Sequence, residues 1–355
     1  MDFTQTEDQQ TLVGMAEAVL DRLGPSDPSP LVGYDEALWK VLSENGFVNS
    51  ALPEAMGGDA LGLDAFAAVL TTLGRRAGIT PFLSTIAGGV LPLIAYGAAE
   101  SYEADLRSAG EGEIITAAVA EVGDAMPLSP ETTLERSGDR IVVHGRKIAV
   151  PYAAQARLLL VSTSGGVVAV SPDTTGVTVI ATKSSTGAPE ATVVLDEVDL
   201  PASAIVGSDT AVLYDHLRCA SASFADGLAA GALRLTADHL ASRQQFGRPL
   251  ATFQAVSQQI ADAYVVARTV HLVAVSATWR VAGGLDARSD TALAAYWVSV
   301  ELPQMMQQCH HLHGGTGADV TYPMHRFFSS ARDVARYLGG PSHTLEHLGA
   351  LCTSI

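Results

Sequence analysis

Basic residues are scarce in this sequence: 21 Lys and Arg stand against 38 Asp and Glu, a formal charge of −17. A chain this acidic repels phosphate backbones and anionic lipid surfaces, which argues against a nucleic-acid or membrane-surface role. A local basic patch that binds a nucleotide cofactor remains compatible with it. Cysteine is rarer still. Cys219, Cys309 and Cys352 are an odd set without metal-ligand spacing, so they read as reduced, buried thiols and not as a disulfide framework. The most apolar stretches are broken by Gly, Pro or charge before they reach membrane-spanning length. The opening Met1-Asp2-Phe3-Thr4-Gln5-Thr6-Glu7-Asp8 is acidic, unlike the basic start of a secretory leader. These absences lead to the expectation of a soluble, cytoplasmic protein.

What is present is a large apolar complement, 48% of 355 residues, enough for one large domain or two to three ordinary ones. Three textures follow one another. Residues 1–112 read as a helical domain. Leu12, Met15 and Val19 recur at helical spacing behind Thr4 or Thr6 as N-cap, and Ala37, Leu38, Val41 and Leu42 mark a second helix that stops at Asn45-Gly46. Further helix is expected from Leu63 to Leu73 and around Ile86 to Tyr96. Residues 113–208 read as a β domain: Ile141 to Val143, Leu158 to Val161, Val167 to Val170, Val177 to Ile180 and Val193 to Leu195 are short β-branched runs between Gly, Pro and Ser. Residues 209–355 return to helix. Leu217, Phe224, Leu228 and Leu235 fall on one face, and long helices are expected over Phe253 to Val275 and Ala292 to Cys309.

Several motifs sit on this frame. Leu38-Trp39-Lys40-Val41-Leu42 precedes Ala51-Leu52-Pro53-Glu54 and Gly57-Gly58. Ser242-Arg243-Gln244-Gln245-Phe246-Gly247-Arg248-Pro249-Leu250 leads to Phe253-Gln254. His310-His311-Leu312-His313-Gly314-Gly315-Thr316-Gly317 is followed by Tyr322-Pro323 and Arg332-Asp333. In this order they resemble the hallmarks of the acyl-CoA dehydrogenases, along almost the whole chain. The resemblance implies an α+β fold with an N-terminal helical domain, a middle β domain and a C-terminal four-helix bundle. It also implies FAD as cofactor and α,β-dehydrogenation of an acyl-CoA thioester. In that chemistry a Glu removes the α proton while hydride leaves the β carbon for the flavin.

The departures from the family pattern are as informative as the matches. Family members carry the Glu either in a Glu-Gly-Thr-Ser segment or just before an Arg on a long helix. Here these places read Leu338-Gly339-Gly340-Pro341-Ser342 and Leu217-Arg218, so Gly339 and Leu217 stand where the base is expected and neither titrates. The family's own-flavin stretches, Thr-Glu-Pro-Gly-x-Gly-Ser and Trp-x-Thr, match Ala120-Glu121-Val122-Gly123-Asp124-Ala125-Met126 and Ala149-Val150-Pro151, which have lost hydroxyls and the Trp. The half-site that the family lends to a neighbouring subunit is retained as Arg243, Phe246, Gln254, Gly314, Gly315 and Gly317, with His311 in place of Gln. Arg grips a pyrophosphate bidentately, and Gly lets backbone approach it.

This combination resembles the small subunit of the α2β2 acyl-CoA dehydrogenases of actinobacterial cholesterol catabolism. That resemblance extends to Trp297, to Thr321-Tyr322-Pro323-Met324-His325-Arg326 and to Gly339-Gly340-Pro341-Ser342-His343. It implies a catalytic partner subunit that supplies the base, a steroid side-chain acyl-CoA as substrate, and an electron-transfer flavoprotein as acceptor. Two other readings stay open. A self-sufficient homotetramer would need an atypical base, with Asp226 and Glu346 the nearest carboxylates by sequence. A non-catalytic acyl-CoA-binding scaffold would have no use for Arg243 or the Gly-rich loop. His310, His311 and His313 lack the companion ligands of a metal site and read as packing or hydrogen-bonding groups.

Overall fold

Residues 3–24 and 33–353 are described by a computed structural model. The chain begins with α1 (Glu7–Leu23), α2 (Glu36–Glu44), α3 (Leu63–Gly74), α4 (Phe82–Thr85), α5 (Leu91–Ala95) and α6 (Glu103–Gly110). Strands β1 (Ile114–Ala118), β2 (Thr133–Ser137), β3 (Arg140–Pro151), β4 (Ala156–Thr163), β5 (Gly166–Val170), β6 (Val177–Lys183), β7 (Pro189–Pro201) and β8 (Ile205–Gly207) follow. The last stretch holds α7 (Ala211–Ser242), a miniature hairpin of β9 (Gln244–Gln245) and β10 (Arg248–Pro249), then α8 (Gln254–Ala282), α9 (Arg288–His313), α10 (Met324–Tyr337) and α11 (Gly340–Thr353). Mixed α+β content is what the sequence texture implies.

Contacts group these elements into two compact units. One holds α1, Ala67–Gly78 and the chain from Arg218 onward; the other holds the chain from α2 to Phe66 and Ile79–Leu217. In the first unit α1 starts where its sequence says it should. Thr6 accepts from the Gln9 backbone, and the Gln9 side chain returns a bond to Thr6, a reciprocal capping box. The core of this unit is α9, which packs against α8, α10 and α11. Cys309 is buried in it, and Cys219 is buried on α7; the side chain of Cys352 lies outside the described residues.

Two expectations need correction here. Helix α7 is not amphipathic along its length: Leu217 through Ser223 are all buried, so small residues and not one apolar stripe define that stretch. Helix α8 is long and apolar enough, by length and composition, to cross a membrane. Its scattered charges, such as Asp262 and Arg268, do not interrupt the run as the sequence reading assumed. Tyr264, Val265 and Leu272 of this helix are more than half exposed.

The second unit is built on two four-stranded sheets, ordered β1-β4-β5-β8 and β2-β3-β7-β6. All pairings are antiparallel except β1 with β4. The inward residues of both sheets, among them Ile141, Val143, Leu159, Val161, Val168, Val193 and Leu195, form one core. A charged pair is sealed beside it. The Lys147 ammonium donates to Glu121 at 2.6 Å, to Ser162 at 3.0 Å and to the Val119 carbonyl at 3.3 Å. Glu121 also accepts from the Thr132 hydroxyl and from the backbone N–H groups of Glu131 and Thr132. Burial pulls the Lys147 ammonium down to about 8, against the opposing pull of Glu121. Burial would raise the Glu121 carboxyl, but the bonds from Lys147, Thr132 and Glu131 together hold it below its ordinary value.

Two half-buried histidines contribute to the acid sensitivity of the chain. Burial lowers His216 on α7, whose Nδ1 meets the Val212 carbonyl at 2.7 Å. On α11, His347 is pushed down to about 4 by burial first, then by Arg218 and His343.

Lys147→Met is expected to destabilise the fold by about 3–5 kcal/mol, because it leaves the Glu121 carboxylate buried without its cation. Adding Glu121→Leu is expected to recover only part of this, since the Glu131 and Thr132 N–H groups then lose their acceptor; urea midpoints of the three proteins check both. For the histidines the unfolded chain binds protons near 6.5 while the folded chain resists them. Stability is therefore whole above that pH and falls as pH drops below it. His347 is expected to contribute about 1–2 kcal/mol of that loss by pH 4, discounted because its ring is partly exposed. Melting curves from pH 7.5 to 4.5 should show the decline, and His347→Gln should flatten it.

Candidate functional site

Helix α7 ends at Ser242, and the chain turns at once through the β9-β10 hairpin. Its two turn residues, Phe246 and Gly247, both have positive φ, +52° and +75°, the left-handed pair that a two-residue hairpin turn requires. Gly accepts this freely, whereas Phe is strained there. Phe246 is nevertheless 92% exposed. Its ring lies 6.2 Å from Phe253, and the Arg248 guanidinium sits 4.1 Å above the Phe253 ring, a cation–π contact that braces the hairpin. Arg243 is exposed at the root of the same hairpin, where its carbonyl accepts from Leu250 at 2.9 Å. Gln254, also exposed, is the first residue of α8.

The Gly-rich loop reaches this region from the end of α9. Helix α9 stops at His313, and Gly314–Ala318 forms a short 3-10 turn. His311, Gly314 and Gly315 are exposed, while Gly317 is buried. A Cβ at Gly317 would lie 2.9 Å from the His310 carbonyl and 3.1 Å from the His313 Cβ, so only glycine lets the turn fold back on its helix.

What joins the two segments is a stack that the motifs did not reveal. The His239 and His313 rings lie 4.6 Å apart, with Tyr322 at 5.2 Å from His313. Arg243 follows His239 by one helical turn, and its N–H donates to the His239 carbonyl at 2.9 Å. The stack thus sets the root of the hairpin beside the start of the Gly-rich loop. Burial lowers both histidines, and each lies beside another cation-forming group, so the neutral rings stack without repulsion. The Nδ1 of His313 meets the Cys309 carbonyl at 2.8 Å, and His310 packs on Phe328. Stacking of this kind could be sought in sequence only as aromatic and imidazole groups at helix ends.

In the other unit, the segment matched to the family's own-flavin stretch is a tight turn. Glu121 and Asp124 pair across Val122-Gly123, and Glu121 faces inward to Lys147. Met126 is buried, while Val122 and Leu128 are 73% and 70% exposed. Ala149 lies in the irregular part of β3 between Lys147 and Val150, with φ +49°. Tyr152 after it is buried edge-on against Tyr34, with ring centroids 5.5 Å apart. No hydroxyl or indole stands at the matched positions Ala120, Ala125, Met126, Ala149 or Pro151.

Both places where the base was sought carry groups that cannot titrate. Leu217 is fully buried beside Gly88. Gly339 has φ +101°, and a Cβ there would fall 2.2 Å from the His343 ring. Leu338 and Gly340 on either side offer no carboxylate either. Of the alternative acids, Asp226 is buried and held by His271 Nδ1 at 3.0 Å and by the Thr71 hydroxyl at 3.5 Å. Glu346 is exposed on α11.

Residues 211–349 match the family model described as acyl-CoA dehydrogenase, C-terminal domain. The acyl-CoA dehydrogenase FadE28 of Mycobacterium tuberculosis is 42% identical over 354 residues, 99% of each chain. Among solved structures, a Tcur3481-Tcur3483 steroid ACAD variant is 30% identical with a TM-score of 0.88, and the match covers 98% of each chain. The ChsE4-ChsE5 complex of Mycobacterium tuberculosis is 27% identical with the same TM-score of 0.88, and covers 100% of each chain. With likeness of this extent in sequence and in fold, the chain belongs to the acyl-CoA dehydrogenase family.

Proposed function

We propose that this chain is the subunit without a catalytic base in a heteromeric, FAD-dependent acyl-CoA dehydrogenase, and that it completes the flavin site of a catalytic partner. The observation that carries this reading is an asymmetry between two sets of residues. The set that the family lends to a neighbour is retained and exposed, with one replacement, His311 for Gln: Arg243, Phe246, Gln254, His311, Gly314 and Gly315, with Gly317 holding the loop. The set that would face a flavin held by this chain's own β domain has no side-chain donors at Ala120, Ala125, Met126, Ala149 and Pro151.

The first set fits the phosphate end of FAD. A guanidinium at Arg243 would take the pyrophosphate in two parallel bonds, and the close-folded glycine turn would bring backbone N–H groups to it. The second set does not fit the isoalloxazine end. When bound, FAD would accept the hydride that leaves the β carbon. The α proton needs a carboxylate within bonding reach. Leu217 and Gly339 cannot serve, and Asp226 is already committed to His271 and Thr71. The partner supplies this group.

An assembly also accounts for the exposed apolar side chains Tyr264, Val265 and Leu272 of α8, which burial against another chain would remove from water. The proposed assembly is α2β2, and the likeness to the ChsE4-ChsE5 complex supports a heteromeric arrangement. The names of the similar proteins support a steroid side-chain acyl-CoA as the substrate. Electrons would pass to an electron-transfer flavoprotein, and the acidic surface suits the cytoplasm.

Expressed alone, the chain should purify without flavin. Co-expressed with the catalytic partner, it should give about one FAD per heterodimer and oxidise a steroid acyl-CoA. Arg243→Ala in this chain should weaken FAD retention by the complex about tenfold or more, the worth of a charge-assisted bond to phosphate. Its own melting temperature should hardly change, because Arg243 is exposed. A yellow lone chain with one FAD per subunit and turnover of its own would sink the reading.

A further inference from the structure

Many arginines of this acidic chain are neutralised by a carboxylate, as Arg140 is by Asp199 at 2.6 Å and Arg280 by Asp290 at 2.9 Å. Two arginines of the β9-β10 hairpin are different. Both are exposed, and among the described residues no carboxylate pairs with Arg243 or Arg248. The register of the hairpin relates them. Arg248 lies opposite Gln245, and the Arg243 carbonyl accepts from Leu250 at 2.9 Å two positions further along the ladder. Side chains alternate along a strand and opposed residues share a face, so Arg243, Gln245 and Arg248 belong to one face. Arg243 and Arg248 are diagonal neighbours on it, a separation that long side chains span.

We propose that Arg248 is a second phosphate ligand of the flavin half-site, and that it and Arg243 together hold the diphosphate of FAD. This rests on the half-site reading given above and adds to it a residue that the family motif does not include. Arg248 is held in place before any ligand arrives, because its guanidinium carbon lies 4.1 Å from the centre of the Phe253 ring. That contact takes none of the guanidinium N–H donors into a conventional hydrogen bond, and none of them has an acceptor among the described residues. They remain available for the forked contact that arginine makes with phosphate. Phe253 caps α8 without a side-chain bond, so the unsatisfied first N–H groups of that helix lie at the same place. The charge count selects the ligand. A single carboxylate or a phosphate monoester would leave one of the two guanidiniums without a counter-charge, whereas a diphosphate ester offers one anionic phosphate to each. Nucleic acid, the other large source of phosphodiesters, is repelled by the net charge of −17. Coenzyme A also carries a diphosphate, so the experiment must separate the two sources.

Titration of FAD into the flavin-free complex of this chain with its catalytic partner, followed by flavin fluorescence at low and at high salt, tests this. Arg248→Met keeps an apolar side chain against Phe253 and removes the charge. It should weaken FAD about fivefold or more at low salt, and the deficit should shrink at high salt, where attraction to phosphate is screened. Arg248→Lys, which keeps the charge and loses the fork, should recover part of the loss. Melting curves check that each variant is folded, and Arg248→Gln decides the matter if Arg248→Met does not fold. A deficit of equal size at both salt concentrations would make Arg248 a brace of the hairpin only and overturns the proposal, as does FAD affinity equal to that of the wild type. Coenzyme A should bind Arg248→Met as well as it binds the wild type; weakened coenzyme A with unchanged FAD would assign the arginine to the thioester and overturns the proposal. Arg243→Ala in the same titration separates this inference from the reading it rests on. If Arg243→Ala loses FAD and Arg248→Met does not, this proposal alone falls. If neither loses FAD, the half-site reading falls with it.

Discussion

The middle of the chain depends on one charge that has been carried out of water. Lys147 lies fully buried beside the core between the two sheets, and its ammonium is shared among Val119 just after β1, Ser162 of β4 and the Glu121 turn. Such a pair adds little net stability compared with apolar packing, but breaking it is expensive, so it fixes one arrangement of the groups around it. The arrangement fixed here is the run from Val119 to Thr132, which includes the turn that corresponds to the family's own-flavin segment. Glu121 stands among Ala, Val and Met at the positions matched to that segment, and its carboxylate serves the fold by holding Lys147, Glu131 and Thr132.

The helical unit shows the opposite economy. Phe246 is strained by its left-handed backbone and is almost wholly exposed, so the isolated chain loses on both counts, by about 1–2 kcal/mol for the backbone alone. Nothing within the chain gains from this placement except the Phe253 and Arg248 contacts that hold the hairpin upright. An exposed aromatic on a braced turn, next to an exposed arginine, is the kind of surface that the proposed complex would cover. The apolar outer face of α8 belongs to the same logic. Its length and hydropathy suit a membrane as well as a partner chain, but its other face is packed on α9.

How much of this was legible depends on the range of the interaction. The capping box at Thr6 and Gln9 is a local pattern, and the β-branched runs became β3 to β7 because alternation and turn residues act within a few positions. The motifs around Arg243 and Gly314 were legible as matches to the family pattern, and the structure adds that they are exposed. The His239–His313–Tyr322 stack was not legible. It joins residues 74 or more positions apart in α7 and beyond α9, and the separate helices give no hint of the meeting. Lys147 also looked like any strand lysine, since only the three-dimensional return of Glu121 shows that it is buried. Helix α7 misled in a different way. Its leucines suggested one apolar stripe, whereas Ala, Ser and Cys bury the remaining faces between Leu217 and Ser223.

The two positions that a family glutamate would occupy have diverged beyond a single replacement. At Leu217 the side chain is fully buried, so a carboxylate there would need an ionised group to be accommodated where only apolar contact now exists. At Gly339 the backbone has a φ that L side chains rarely adopt, and the His343 ring occupies the space a Cβ would enter. Burial first, and then the neighbouring Arg218 and His343, hold the His347 imidazole down to about 4, so that it stays neutral near pH 7. The packing at both positions leaves no room for a carboxylate without rearrangement, as the proposed reading requires if the proton-abstracting group is to come from another chain.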